Sequence, residues 1–308
     1  AGRRTRDARK REEGRTRMIR FGPAGWLYDD WAGVVYPAPK PRGFDPLAYL
    51  AGYFDTIEIN STFYRPAAPK TVDSWLRRVE HNADFRFTAK LYQRFTHKRA
   101  NAWTDAEVDE VRAGFDPLLE SGRLGAVLIQ FPWSFRRTDE NREWLDDLTR
   151  TFGHYPLVLE VRHASWNTPG FFDALTQRGI GFVNIDQPLF HDSIHPSAHA
   201  TSAVGYVRVH GRNYQDWFRE KAGRDERYDY LYTPAELKPW AERTKEIAAR
   251  PRTQDVFVVT NNHFQGQAVT NALQLQSMVE GRRVPAPPPL FDRFGEVLAP
   301  YAGPADPA

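Results

Sequence analysis

Residues Thr56–Arg65, TIEINSTFYR, begin as a strand and end as a cluster of groups for which a buried strand has no use. Side chains alternate along a strand, so Ile57 and Ile59 share one face and Thr56, Glu58 and Asn60 the other. A carboxylate and an amide on the inner face of a buried strand cost several kcal/mol unless they are paired or solvated. Ser61, Thr62, Tyr64 and Arg65 then add further donors and acceptors.

The same device, an apolar strand ending in polar residues, recurs in both directions. Upstream, Ile19–Gly25 (IRFGPAG) reads as a strand running into a Gly/Pro turn, and Asp45-Pro46 starts a helix with Asp as N-cap and Pro in the first turn. Downstream, strands are expected at Phe85–Lys90, Ala126–Phe131, Leu157–Val161, Gly181–Asp186, Val204–His210 and Val256–Thr260. Helical periodicity fills most of the gaps: Pro69 to about His81, Thr104 to Glu120, Asp139 to Phe152, Asn167 to Arg178, Thr233 to about Arg250 and Gly266 to Glu280. Eight near-continuous apolar strands, mostly alternating with helices, imply a parallel sheet covered by helices. The class is α/β, and the count predicts a single (β/α)8 TIM-type barrel over residues 18–308. A doubly wound open sheet would carry a dinucleotide fingerprint after its first strand, and GPAGW is not one. His191–Ser202 shows little helical pattern, so the helix between the sixth and seventh strands is expected to be short or missing. The Pro-rich end after Val284 is expected to wrap the surface.

The chain has 308 residues, 41% hydrophobic and 26% charged, the composition of a globular protein without an 18-residue apolar span. Cysteine is absent, which excludes disulfides, thiolate nucleophiles and cysteine-ligated zinc or iron–sulfur centres. A disulfide-free chain with no export signal suits the cytoplasm. The formal charge of +3 is unevenly distributed. Residues 1–17 hold eight Lys/Arg against three acids, a net +5, and residues 18–308 hold 34 against 36, a net −2. Residues 1–17 are therefore read as a disordered basic tail, with a nucleic-acid-binding arm as the rival reading.

In a barrel of this kind the site lies at the C-terminal ends of the strands. Alternation points Glu58, Asn60, Lys90, Gln130, Glu160, Arg162, Asn184, Asp186, Arg208 and His210 inward. Glu58, Lys90, Glu160, Asp186 and His210 are the candidate catalytic groups. Asn60, Tyr64, Arg65, Gln130, Arg162, His163, Arg208, Arg212, Asn261, Asn262 and Gly266 are the candidate substrate-binding positions. Arg162 and Arg208 can fork onto a carboxylate or phosphate, and the helix beginning at Gly266 offers free N–H groups to an anion. A small anionic or phosphorylated ligand is thus the expected partner, and the oligomeric state is open. Glu58, Glu160, Asp186, His163 and His210 could instead bind a divalent metal, although no tight ligand spacing is present. Lys90 reads as a salt-bridge partner of Glu58 or Glu160, with a Schiff-base lysine as the alternative. The whole constellation could also be an ion-pair plug. Trp26, Tyr28, Trp31, Phe63, Tyr64, Trp133, Trp166, Tyr214 and Trp217 fall in strand-end loops, either as a packed lid or as a stacking surface.

Seven blocks resemble the YecE-like family, domain-of-unknown-function family 72. They are GPAGWLYDDWAGVVYP (22–37), EINSTFYR (58–65), FRFTAK (85–90) with Thr96-His97, GAVLIQFPWSF (125–135), LEVRHASW (159–166), YVRVHGRN (206–213) and NNHFQGQAVTNALQL (261–275). The resemblance implies a TIM-type barrel and no established reaction. By fold analogy it is similar to metal-dependent barrels such as apurinic endonucleases and sugar isomerases. GPAGW departs from the Gly-x-Ser-Gly-Trp expected there, Ala24 standing where a hydroxyl would be, which argues against a catalytic role at that position. The sequence thus favours an enzyme acting on an anionic substrate by acid/base chemistry. A nucleic-acid repair protein and a non-catalytic ligand-binding scaffold are the alternatives.

Overall fold

Eight strands pair in parallel, in the order β1-β8-β7-β6-β5-β4-β3-β2. They are β1 Met18–Pro23, β2 Thr56–Ile59, β3 Arg86–Lys90, β4 Leu124–Gln130, β5 Leu157–Glu160, β6 Gly181–Asp186, β7 Val204–Val209 and β8 Asp255–Thr260. The two edge strands meet through a single bridge, Ala24 to Glu58, and through the Gly25 N–H donating to the Glu58 carbonyl at 2.9 Å. The sheet is thereby nearly closed into a barrel. The computed structural model describes residues 18–214 and 228–307; the basic segment 1–17 and Trp217 lie outside them.

The helices start where the sequence offers caps. Asp45 accepts from the Ala48 N–H at 2.8 Å. Thr104 and Thr233 each form a capping box with Glu107 and Glu236, opening helices Asp105–Glu120 and Pro234–Ala249. Gly179 closes the helix Pro169–Arg178 in the left-handed conformation. No described helix is long and apolar enough to cross a membrane.

Paired residues of parallel neighbours point to the same side, so the ladders fix which side chains enter the barrel. Glu58 pairs Thr88, Lys90 pairs Leu128, Gln130 pairs Glu160, and Val158 pairs Gly181. On the other half Tyr206 pairs Val183 and Phe257, while Arg208 pairs Ile185 and Val259. Val183 and Ile185 are therefore the inward residues of β6. Asn184 and Asp186 share the outer face with Phe182, which packs edge-on against Phe172 of the covering helix. The expectation that Asn184 and Asp186 point inward is corrected on this point. The physical reason is the connection from β6 to β7, in which residues 187–203 form no helix. Extended chain covers the outer face instead, and its polar groups satisfy Asn184: Ser197 Oγ and the His199 N–H both donate to its Oδ1 at 2.8 Å.

The end of the chain also differs from expectation. After Val284 a short parallel pair, Val284–Ala286 with Ala302–Pro304, brackets a helix over Leu290–Leu298. Leu290, Phe294 and Leu298 are buried, so this segment packs as an amphipathic helix rather than a surface wrap.

Candidate active site

Arg208 stands between two carboxylates at the C-terminal end of the barrel. Its Nη2 donates to Glu58 Oε1 at 2.7 Å and its Nη1 to Glu160 Oε2 at 2.5 Å, and all three side chains are fully buried. Arg162 donates from Nε and Nη2 to Glu160 Oε1 at 2.9 and 2.8 Å. Tyr206 lies one pleat deeper, its hydroxyl 2.9 Å from Glu58 Oε2 and 2.7 Å from Thr88 Oγ1. A hydroxyl has one proton, so Tyr206 donates to the carboxylate and accepts from Thr88. Asn261 Nδ2 donates to His210 Nδ1 at 3.1 Å, which leaves the ring proton on Nε2, 3.4 Å from Glu160 Oε1.

These contacts set the charge states. Burial alone would raise the Glu160 carboxyl, but Arg208, His210 and Arg162 outweigh it and hold the group well below the usual carboxylate range. Burial, reinforced by Arg208, lowers His210 to about 3, so the imidazole is neutral. Glu160 is thus a fixed anion and His210 a fixed neutral donor near pH 7.

Lys90 behaves differently. Its Nζ donates to Gln130 Oε1 at 2.8 Å and sits 4.2 Å from the centre of the Phe63 ring. Among the described residues no carboxylate lies within ion-pair distance of it, which corrects the expected salt bridge to Glu58 or Glu160; Arg208, Arg162 and the Tyr206 hydroxyl occupy those oxygens. Burial, and then the charge of Arg208, lowers Lys90 to about 7. The ammonium opens on a cavity of about 310 Å³ lined by Tyr28, Asn60, Phe63, Tyr64, Asn261 and His263, among others. Tyr28 and His263 stack at 4.5 Å to form one wall. Gly25, Trp26 and Leu27 border an adjoining depression of about 260 Å³ that shares Tyr28, Asn60 and Tyr64.

Of the sequence-derived candidates, the structure brings together Glu58, Asn60, Tyr64, Lys90, Gln130, Glu160, Arg162, Arg208, His210 and Asn261 at this mouth. Arg65 is exposed and lines neither depression. The others are turned elsewhere. Asp186, on the outer face of β6, takes Arg212 as a two-pronged partner at 2.8 and 3.0 Å, and Arg212 also reaches Glu236. His163 caps the turn after β5, accepting from the Ser165 N–H at 3.1 Å. Asn262 points outward and donates to the Tyr230 carbonyl and to Asn271.

The expected anion seat at Gly266 is also corrected. A Cβ there would lie 2.9 Å from Val35 and 3.0 Å from Val34, so packed side chains cover the turn. The Gln265 N–H beside it already donates to Asp30 at 2.6 Å. The five candidate metal ligands do not converge either, and among the described residues no three His, Asp or Glu side chains form a metal-binding group.

Sequence reasoning missed Tyr206 and Thr88 as members of the cluster. Alternation from Arg208 and Lys90 would have found both, but a tyrosine and a threonine in a strand look like ordinary β-formers. The loop aromatics divide. Trp31 and Trp166 are packing residues, fully buried, whereas Tyr28, Phe63 and Tyr64 face the cavity.

Comparison with known proteins bears on the family and the fold. A family described as protein of unknown function DUF72 matches residues 20–291. The UPF0759 protein YunF of Bacillus subtilis strain 168 is 29% identical over 276 residues, 85% of this chain and 95% of that protein. The UPF0759 protein YecE of Escherichia coli K12 is 28% identical over 181 residues, 61% of its length. The crystal structure of a DUF72 family protein from Thermotoga maritima MSB8 superposes with a TM-score of 0.73 at 33% identity, covering 85% of this chain and 99% of that one.

Proposed function

The chain belongs to the DUF72 family of proteins of unknown function, and from that starting point we propose that it is an enzyme. In this reading it binds a small anionic substrate, phosphorylated or carboxylate-bearing, at the C-terminal mouth of the barrel and uses Lys90 for acid/base chemistry. The observation that carries the reading is the unequal charge of the mouth. Three basic groups, Lys90, Arg162 and Arg208, accompany two carboxylates, Glu58 and Glu160, so protonating Lys90 leaves one positive charge in excess. Removing charges from water is expensive when one lacks a counter-charge, and a bound anion would supply it. Lys90 is also the member of the cluster suited to moving a proton near pH 7, because its own value is about 7. Glu160, a fixed anion, acts on it through its charge, which favours the ammonium.

The pH dependence has a definite sign. Lys90 titrates at about 7 in the folded chain against 10.5 for an ordinary lysine. Unfolding therefore takes up a proton between those values, and stability falls as the pH falls from about 10.5 to about 7. An anion beside the ammonium offsets part of that penalty, so its stabilising effect should be largest below pH 7 and fade above it. The test is a panel of phosphorylated and carboxylate-bearing metabolites read by melting temperature on the wild type and on Lys90→Met. At least one anion is expected to raise the wild-type Tm by several degrees and to be turned over with an apparent pKa near 7, both effects vanishing in the variant. Lys90→Met itself should be about 1 kcal/mol more stable at pH 7, because a desolvated charge is removed. A panel that shifts neither protein, or both equally, would overturn the reading.

A further inference from the structure

We propose that Lys90 forms a Schiff base with a small aldehyde or ketone that carries an anionic group, the carbonyl carbon being held against Nζ by the cavity walls of Tyr28, Asn60, Phe63 and Tyr64. The inference deepens the preceding reading, on which it rests, by naming the substrate class and a covalent step. Its basis is where the amine stands. A lysine clamped between carboxylates presents no lone pair, but among the described residues Lys90 has a single neutral acceptor, Gln130 Oε1, and an aromatic face beneath it. The two carboxylates that could have held it as an ion pair are bonded to Arg208 and Arg162 instead. The lowered Lys90 value supports the same conclusion, since most of the amine is neutral just above pH 7. The cavity of about 310 Å³ suits a small molecule. Arg162, whose charge is felt at Lys90, supplies the positive field for the anionic end. The chain contains no cysteine to compete as a nucleophile.

The step balances without a further reagent. The neutral amine attacks the carbonyl carbon, a C–N bond forms, and the C=O π pair moves to oxygen, which takes a proton. The carbinolamine then loses that oxygen as water. Counted from the ammonium form, Lys90–NH3⁺ and the carbonyl compound give a protonated imine, still singly positive, and one water. In this step Asn60, which lines both depressions, hydrogen-bonds the departing oxygen.

Reductive trapping tests this. The full-length protein is incubated at pH 7.5 with cyanoborohydride and pyruvate, glyceraldehyde 3-phosphate or, as neutral controls, acetone and glyceraldehyde, and the adducts are located by peptide mass mapping. The expected adduct adds the mass of the carbonyl compound less one oxygen, sits on Lys90, and forms with an anionic compound roughly a hundred-fold faster than on the exposed Lys98 and Lys245. Mapping on the wild type locates it without depending on a variant's folding. Labelling spread evenly over the exposed lysines overturns the inference, and so does equal trapping of neutral and anionic compounds. Thermal stabilisation by an anion with no Lys90 adduct overturns the Schiff base alone and leaves the acid/base reading standing.

Discussion

Arg208→Met should lower stability by about 4 kcal/mol or more, enough to leave the folded state barely populated at 37 °C. The side chain is the shared cation of Glu58 and Glu160, both fully buried. Without it Glu58 keeps the Tyr206 hydroxyl and Glu160 keeps Arg162, but two carboxylates then face one guanidinium in a low-dielectric interior. The loss comes from stranded charge rather than missing volume, and methionine is chosen to keep most of the volume. Adding Glu58→Gln to Arg208→Met should therefore recover part of the loss, a coupling that a urea double-mutant cycle reads directly. The acid limb should move as well. Glu160 is depressed in the folded chain, so it contributes stability that is complete above its unfolded value near 4.5 and is lost as the pH falls through the lower folded value. Arg208→Met should bring that loss to higher pH. A single variant within 1 kcal/mol of wild type would mean that the cluster is not the electrostatic unit described here.

Gly22→Ala, a change of one methyl group, should also destabilise by about 3 kcal/mol or more. Gly22 lies on β1 at the seam where the barrel closes against β2. A Cβ at this position would fall 1.8 Å from the Thr56 carbonyl oxygen and 2.8 Å from its carbon, both backbone atoms. No rotamer relieves such a clash, so one edge strand must move. The bridge of Ala24 to Glu58 lies two residues further on, so that movement also displaces Glu58 relative to Arg208. The variant should combine a lowered denaturation midpoint with weaker stabilisation by anions at the mouth. Wild-type stability in Gly22→Ala would show that the seam is looser than the geometry indicates.

Much of this architecture is legible in the sequence because the parallel strands are nearly uniformly apolar and end in polar residues. The facing of each strand was readable wherever a helix covers its outer side. There the outer residues must be apolar, so Glu58, Lys90, Glu160 and Arg208 have to turn inward. The rule failed on β6 for the same physical reason. Extended chain, not a helix, covers Asn184, and the His199 N–H and carbonyl there satisfy an amide that a helix would have stranded. The helix Leu290–Leu298 was hidden by the Pro-rich stretch 285–289, four prolines around Ala286, that precedes it. The partner of Lys90 was not legible either. Strand alternation brings charges to one mouth but does not say which cation takes which carboxylate. That choice depends on side-chain reach and on the forked geometry of arginine, which matches carboxylates better than an ammonium does.

The most direct test is to titrate Lys90 itself, by following lysine side-chain NMR signals in isotopically labelled protein from pH 5 to 11, with Lys90→Met to assign the resonance. One lysine should titrate near 7, as expected for an amine desolvated beneath the cavity and held by Gln130 and Phe63. A Lys90 signal that titrates above 10, with the exposed lysines, would contradict the account of the mouth as a poised site and leave it a neutralised ion-pair plug.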